Sequence, residues 1–185
     1  MAEKKQSALE QTRRLLEAQR NEVEGDEQVW RALAIEILGI PVVLPIGDVS
    51  ELAVCENITP VPLTQSWVRG LTNVRGQLFT VVDLSVFLGG PETRLSRDAR
   101  IIMLGAEGLN SCLLVNNIIG LKILNEEMKP GAPEAVAPNV ARYIRGAVAT
   151  EEGTWAVLDV ASMTRDERFR KPARVQARAE SAVSV

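Results

Sequence analysis

Histidine is missing from this sequence, and with it goes the side chain most used for acid–base work near neutral pH and for metal binding. Most hydrolase triads are excluded on that ground. Cysteine is nearly missing. Cys55 and Cys112 are the two thiols, far apart and with no redox or metal-ligand spacing around them, so both read as small core or strand residues. No metal site and no cofactor are expected. A surplus of positive charge is lacking too: Lys and Arg number 21 against 24 Asp and Glu, a formal net charge of -3. That leaves nothing to neutralise a phosphate backbone, and nucleic acid is not an expected partner. No apolar run approaches the ~20 residues that span a bilayer, and the polar opening from Met1 to Gln6 leads into no apolar signal segment. Direct membrane insertion is not expected, and these facts fit a reducing cytoplasm.

What is present is a chain of 185 residues, 46% hydrophobic and 24% charged, enough for a folded core. Residues 1–28 are rich in Glu, Gln, Lys and Arg, with Leu9, Leu15, Leu16 and Val23 as their main apolar points. They read as a charged, partly helical tail, solvated unless the leucines dock on a partner or on the body of the protein. From Thr164 the charged Arg-Asp-Glu-Arg-Phe-Arg-Lys-Pro run reads as a short helix, then a disordered tail to residue 185. Between these tails, residues 29–163 carry short apolar runs punctuated by Gly, Pro and Asn, the pattern of many short strands. The runs are Ala32 to Leu38, Val42 to Leu44, Val49 to Val54, Leu78 to Val82, Ile101 to Leu104, Cys112 to Val115, Ile118 to Leu124, Gly146 to Ala149 and Trp155 to Leu158. Gly39-Ile40-Pro41 and the residues 105–108 read as turns. An all-β barrel or sandwich follows.

An internal repeat narrows the choice. Trp67-Val68-Arg69-Gly70 leads through an apolar strand to Val81-Val82-Asp83-Leu84, and Tyr143-Ile144-Arg145-Gly146 leads at the same distance to Val157-Leu158-Asp159-Val160. Phe79 matches Trp155 in the same ungapped alignment. Two copies of one small β unit, each too small to bury its own face well, predict two similar barrels sharing a core.

Asp83 and Asp159 invite a catalytic carboxylate pair, and a small hydrolase is the enzyme reading to weigh. Each, however, precedes a short apolar helix, and Leu84 to Leu88 runs into Gly89-Gly90. Both therefore read as N-caps that accept backbone N–H bonds. Gly70 to Gly76 lacks the Gly-Lys-Ser/Thr ending of a phosphate loop. It reads instead as a hairpin, with Gly76 supplying a positive φ at the tip. Arg75 stands at that tip. Its repeat equivalent is Glu151, and that of Asn73 is Ala149. A corner present in one of two similar units is not needed to fold the unit, which makes Arg75 the leading functional candidate.

The stretch Trp67 to Gly90 resembles the central motif of CheW-like domains, with its Asn-Val-Arg-Gly core and Val-Val-Asp-Leu end. Flanking matches include Leu44-Pro45-Ile46, Val49-Ser50-Glu51-Leu52, Ile58 to Pro62 and Leu114 to Ile118, so that the resemblance covers about Trp30 to Met163. It implies two intertwined five-stranded SH3-like barrels and no catalytic activity. It also implies binding to the regulatory domain of a CheA-type histidine kinase and to the cytoplasmic tip of a methyl-accepting chemoreceptor, placing such a chain at membrane-associated receptor arrays. On this resemblance Val49, Glu51, Asn73 and Arg75 form the receptor-binding set, with an ion pair between Glu51 and Arg75. Trp67, Gly70, Gly76, Asp83, Tyr143, Gly146 and Asp159 are the structural set. The Trp-Val-Arg-Gly start and the charged N-terminal extension look more like the adaptors of type IV pilus (twitching) systems than like flagellar ones. A flagellar-type adaptor and a detached kinase regulatory domain remain as alternatives. Two departures stand out: Val115-Asn116-Asn117-Ile118 replaces the usual Val-Asp-x-Val, and Thr80 replaces the usual proline.

Overall fold

In the computed structural model, residues 30–105 and 109–174 are described. The expectations for the N-terminal tail and for residues 175–185, and most of the expected turn at 105–108, lie outside them. Among the described residues the strands are β1 (Trp30–Ile37), β2 (Ile40–Pro45), β3 (Val49–Val54), β4 (Val68–Val74), β5 (Gln77–Asp83), β6 (Arg100–Leu104), β7 (Ser111–Val115), β8 (Ile118–Leu124), β9 (Lys129–Pro130), β10 (Ile144–Thr150) and β11 (Gly153–Leu158). Four short α-helices, α1 (Leu84–Phe87), α2 (Pro138–Ala141), α3 (Val160–Arg165) and α4 (Glu167–Arg170), and one 3-10 turn (Ile46–Asp48) accompany them. The first turn is one residue earlier than expected. Ile37 pairs with Ile40, so the turn is Leu38-Gly39, both with positive φ (53° and 78°), and Pro41 is already in the strand. A two-residue hairpin turn of this hand needs φ > 0 at both places. The Leu38 side chain lies over Gly90, in the space that a Cβ there would occupy.

Two sheets result, of order β3-β6-β7-β5-β4 and β8-β1-β2-β11-β10-β9. They follow one plan: an edge strand, an antiparallel pair, then a parallel junction to a hairpin. The parallel junction is β5 with β7 in one and β11 with β2 in the other. The first sheet is continuous in sequence. The second is assembled from both ends of the described chain, because β1 and β2 insert between β8 and β11, and that is the sense in which the two units are intertwined. The repeat is visible in detail. The Trp67 carbonyl accepts the Asp83 N–H at 2.8 Å, and the Tyr143 carbonyl accepts the Asp159 N–H at 2.7 Å. Both hairpins shift register at the repeated glycine. A Cβ on Gly70 would lie 2.1 Å from the Thr59 carbonyl oxygen, and one on Gly146 would lie 2.7 Å from that of Lys129, so a crossing backbone excludes side chains at both.

Strand alternation places one face in each of two layers. Leu33, Ile35, Val42, Leu44, Ile102, Leu113, Ala156 and Leu158 meet in a core between the sheets. Ala32, Ala34, Val43, Trp155 and Val157 fill the six-stranded unit, and Phe79, Val81, Ile101, Met103, Cys112 and Leu114 fill the other. Burial on both faces explains why the strands read as unbroken apolar runs. At the centre, Phe87 is contacted by Trp67 (5.4 Å, edge to face), Tyr143 (5.6 Å) and Phe169 (5.4 Å). Trp67 and Tyr143, the first residues of the two repeats, are thus buried against the same ring.

Packing continues past Met163. Phe169 is 3% exposed and stacks on Trp67 at 6.0 Å. The chain after it pairs with the loop before β4, where Gln65 donates its N–H to the Pro172 carbonyl (2.7 Å) and Arg174 to that of Leu63 (2.8 Å). The polar sequence here conceals a single aromatic anchor.

Candidate functional site

The β4–β5 turn is a two-residue hairpin, with Val74 paired to Gln77. Both central residues have positive φ, Arg75 at 52° and Gly76 at 83°, so the left-handed backbone is not supplied by the glycine alone. Asn73 fixes the turn: its Oδ1 accepts the Gly76 N–H at 2.8 Å. With the backbone so held, the Arg75 side chain crosses to the opposite edge strand of its sheet, where its Nη2 lies 3.0 Å from Glu51 Oε1. The expected ion pair is present. Glu51, on β3, is largely covered (19% exposed), while the guanidinium is 60% exposed. Thr59 also returns to the β4 edge, exchanging two 2.8 Å backbone bonds with Leu71.

A groove lies beside this corner, lined by Val54, Asn57, Thr72, Asn73, Arg75 and Leu78. Val54 and Leu78 are exposed, Leu78 by 58%. Arg75 and Asn73 are therefore on an open surface. Val49 is not: it is 8% exposed with its side chain in the core between the sheets, because the register shift between Val49 and Glu51 interrupts the alternation of β3 and turns the two to different faces. It supports the face from beneath.

The second unit carries the same device with its charges exchanged. Lys122 on the edge strand β8 pairs through Nζ with Glu152 Oε2 at the tip of the β10–β11 hairpin, and the ammonium also sits 5.1 Å above the Trp155 ring. Again the strand residue is the covered one (22% exposed) and the tip residue the open one (65%). The turn differs, since its positive φ falls at Gly153. The inference that the Arg75 corner has no counterpart is thus corrected. The alignment of Arg75 with Glu151 shows the inverted charge at the tip, but Lys122 is distant in sequence and only the sheet order brings it there.

The two aspartates are occupied by their helices. Asp83 is fully buried, accepts the Val86 and Thr93 N–H groups at 3.3 and 2.9 Å and the Thr93 hydroxyl at 2.8 Å, and has Arg69 3.8 Å away. Arg69 also pairs with Glu92. Asp159 accepts the Ser162 N–H and hydroxyl at 2.8 and 2.7 Å. Burial raises its pKa, but those two bonds and the charges of Arg145 and Arg165 more than offset that and leave it lowered. Burial pushes the Cys112 thiol up to about 12 and raises that of Cys55 as well, so neither is a nucleophile at neutral pH. Among the described residues no group of His, Cys, Asp or Glu is arranged to hold a metal, and no helix is long and apolar enough to cross a membrane. Asn116 and Asn117 are exposed in the turn between β7 and β8 and line a small cleft with Glu36 and Leu38.

Comparison with known proteins agrees with this architecture. The protein is similar to Protein PilI of Pseudomonas aeruginosa, 27% identical over 146 residues that cover 77% of this chain and 79% of the relative. It is also similar to the Chemotaxis protein CheW of Treponema pallidum, 23% identical over 157 residues, 81% of this chain and 90% of the relative. The crystal structure of the scaffolding protein TtCheW from Thermoanaerobacter tengcongensis superposes with a TM-score of 0.66 at 22% identity, covering 76% of this chain and 96% of that one. The model of the CheW-like domain matches residues 31–168. With that span, two intertwined sheets and aspartates committed to helix caps rather than to chemistry, the chain belongs to the CheW-like family, whose members are scaffolds and not enzymes.

Proposed function

We propose that this chain is a cytoplasmic adaptor joining the tip of a methyl-accepting chemoreceptor to the regulatory domain of a CheA-type histidine kinase, in a chemosensory system that controls type IV pilus (twitching) motility. The pilus assignment draws on the similarity to PilI. The receptor assignment rests on one observation above the others: the exposed Arg75 guanidinium, fixed by a rigid turn and by Glu51, at the rim of a groove with apolar Val54 and Leu78. A covered carboxylate on one side and open solvent on the other aim the cation outward. An apolar floor with one oriented charge suits an amphipathic receptor helix that brings a carboxylate. An adaptor of this kind works by geometry, and the coupling it transmits is a difference in binding free energy between signalling states.

The test is reconstitution of receptor, kinase and adaptor with Arg75→Glu. The pair is too exposed to matter much to folding, about 0 to 1 kcal/mol, so the melting temperature should stay within a few degrees while receptor control of the kinase is lost. Normal coupling by the variant defeats the receptor assignment. In the bacterium, deletion should stop twitching and spare swimming, and the reverse phenotype overturns the pilus assignment.

A further inference from the structure

A cleft opens at the end of the six-stranded unit, where the described chain begins. Trp30, Pro45, Ile46 and Met128 line it with apolar surface, and each of them is half-buried. Trp30 and Met128 pack against the core of that unit and Ile46 against the core between the sheets, so both cores reach the surface at this one place. Met128 is held there by its seat over Gly146, in the space that a Cβ would need. Glu126 and Glu127 stand exposed on the margin. Two arginines line the cleft as well, and neither cancels that acidic margin. The charge of Arg145 acts on Asp48 and Asp159 of the body, and Arg31 stands at the entry of the chain, directly after a stretch that holds Glu24, Asp26 and Glu27.

We propose that this cleft is the docking site of the chain's own N-terminal segment, with Leu16 and Val23 seated on Trp30 and Met128 and with Arg13 and Arg20 set against Glu126 and Glu127. Leu9, Leu16 and Val23 recur every seven residues, and on a helix that spacing puts them in one stripe. At 3.6 residues per turn, Arg13 and Arg20 fall together along one flank of the stripe, while Thr12 and Gln19 fall along the other. One flank is thus cationic and the other uncharged, which matches a cleft with an acidic margin on one side. The place where the tail joins the body argues for the same occupant. Gly25-Asp26 supplies a turn just after Val23, and the stretch from Glu24 to Val29 that leads to Trp30 reaches about 20 Å when fully extended. So short a tether holds the segment over the cleft at roughly millimolar effective concentration, an advantage that no separate molecule shares. A charged stretch with so few aliphatic residues is a marginal helix alone in water, and the cleft gives its stripe an apolar surface to meet. The docking needs neither receptor nor kinase and stands apart from the reading of the Arg75 corner.

The experiment reads Trp30 in the full chain. Trp67 and Trp155 are 5% and 6% exposed, so quenching of tryptophan fluorescence by acrylamide, a neutral probe, reports chiefly on Trp30. Leu16→Asp with Val23→Asp should raise the quenching constant about twofold or more, as the covered fraction falls, and should remove hydrogen-exchange protection from the backbone between Leu9 and Val23. Both substitutions lie outside the folded body, whose circular dichroism and melting should show that it is intact. A charge exchange tests the margin independently. Arg13→Glu with Arg20→Glu should expose Trp30, Glu126→Lys with Glu127→Lys should do the same, and the four together should restore its protection. Equal quenching of the original chain and of Leu16→Asp with Val23→Asp overturns the proposal, and so does failure of the four exchanged charges to restore protection. Dilution identifies the occupant. Protection by the chain's own tail is independent of protein concentration, whereas protection that vanishes on dilution belongs to the tail of a second copy and overturns self-docking.

Discussion

Replacing Phe169 by alanine tests where the folded body ends. Its ring is almost fully buried, stacks on Trp67 and meets Phe87 edge to face, although it lies in a segment whose composition is that of a solvated tail. Removing a buried phenylalanine costs about 3 to 5 kcal/mol, counting lost transfer energy and the cavity left behind. The two ring contacts add about 0.5 to 1.5 kcal/mol each beyond area, which places this site in the upper half of that range. Collapse of the loop before β4 into the hole is opposed, because Gln65 is bonded to Pro172 and Leu63 to Arg174. For a domain of this size 1 kcal/mol is worth roughly 3 to 4 °C, so the melting temperature should drop by about 10 to 20 °C. The assay is thermal and urea unfolding of the full chain, with a chain truncated after Met163 alongside. The truncation should lose at least as much as the substitution. A fall of less than about 1 kcal/mol refutes the reasoning, and places α4 outside the cooperative unit.

Three further outcomes are expected. Asp166 accepts hydrogen bonds from the Tyr143 hydroxyl (2.6 Å) and the Arg168 N–H (2.7 Å), which hold its pKa below the ordinary 3.8; the stability this provides is present above that value and lost as pH falls below it, so Asp166→Asn should flatten the acid limb of a stability-against-pH curve and leave its neutral limb parallel to the original. Gly70→Ala should cost about 2 kcal/mol or more in urea unfolding, since φ is +138° and a Cβ would lie 2.1 Å from the Thr59 carbonyl oxygen, whereas Gly146→Ala should cost less because its φ is not in the left-handed region and its backbone obstacle, the Lys129 carbonyl oxygen, stands farther off at 2.7 Å; equal losses would contradict the geometry. Cys112, fully buried with its thiol pushed up to about 12, should resist alkylation at pH 8 until the chain unfolds, and labelling on the timescale of a free thiol would show that the five-stranded unit opens locally.

The strands were legible in the sequence because both of their faces are buried: Ile101 to Leu104 and Cys112 to Val115 leave no polar position to blur the run. The repeat was legible because the Trp67 and Tyr143 carbonyls, the two crossing backbones and the two helix caps each require particular residues at fixed spacing. The turns were less so. Leu38 and Arg75 adopt positive φ against the usual preference of residues with a Cβ, and nothing local in the sequence announces that. Strand β9, two residues that include a proline, carries no signal above that of a loop. At the candidate site the Arg75–Glu51 pair followed from a resemblance, whereas Lys122–Glu152 went unread. It joins an edge strand to a hairpin tip across a sheet whose order the sequence does not display. Val49 was misplaced for a simpler reason: on a strand, neighbours two apart share a face, and the register shift between Val49 and Glu51 breaks that parity.

The six-stranded sheet, made from both ends of the described chain, has a consequence for how the protein is born. As the chain leaves the ribosome, β1 and β2 emerge first, yet the parallel partner of Val43 is Val157, more than a hundred residues behind. Until that strand arrives, an apolar hairpin has one edge open, and an open apolar edge is a template for the wrong chain. The five-stranded unit is different: it can close as soon as β7 is made, and its completed face gives β1 and β2 a surface to rest on. Synthesis therefore builds the middle before the ends, and the slow step is the return of the last hairpin to the first, a closure of high contact order. Selection would act most strongly on that interval, on the speed with which β10 and β11 reach a waiting partner.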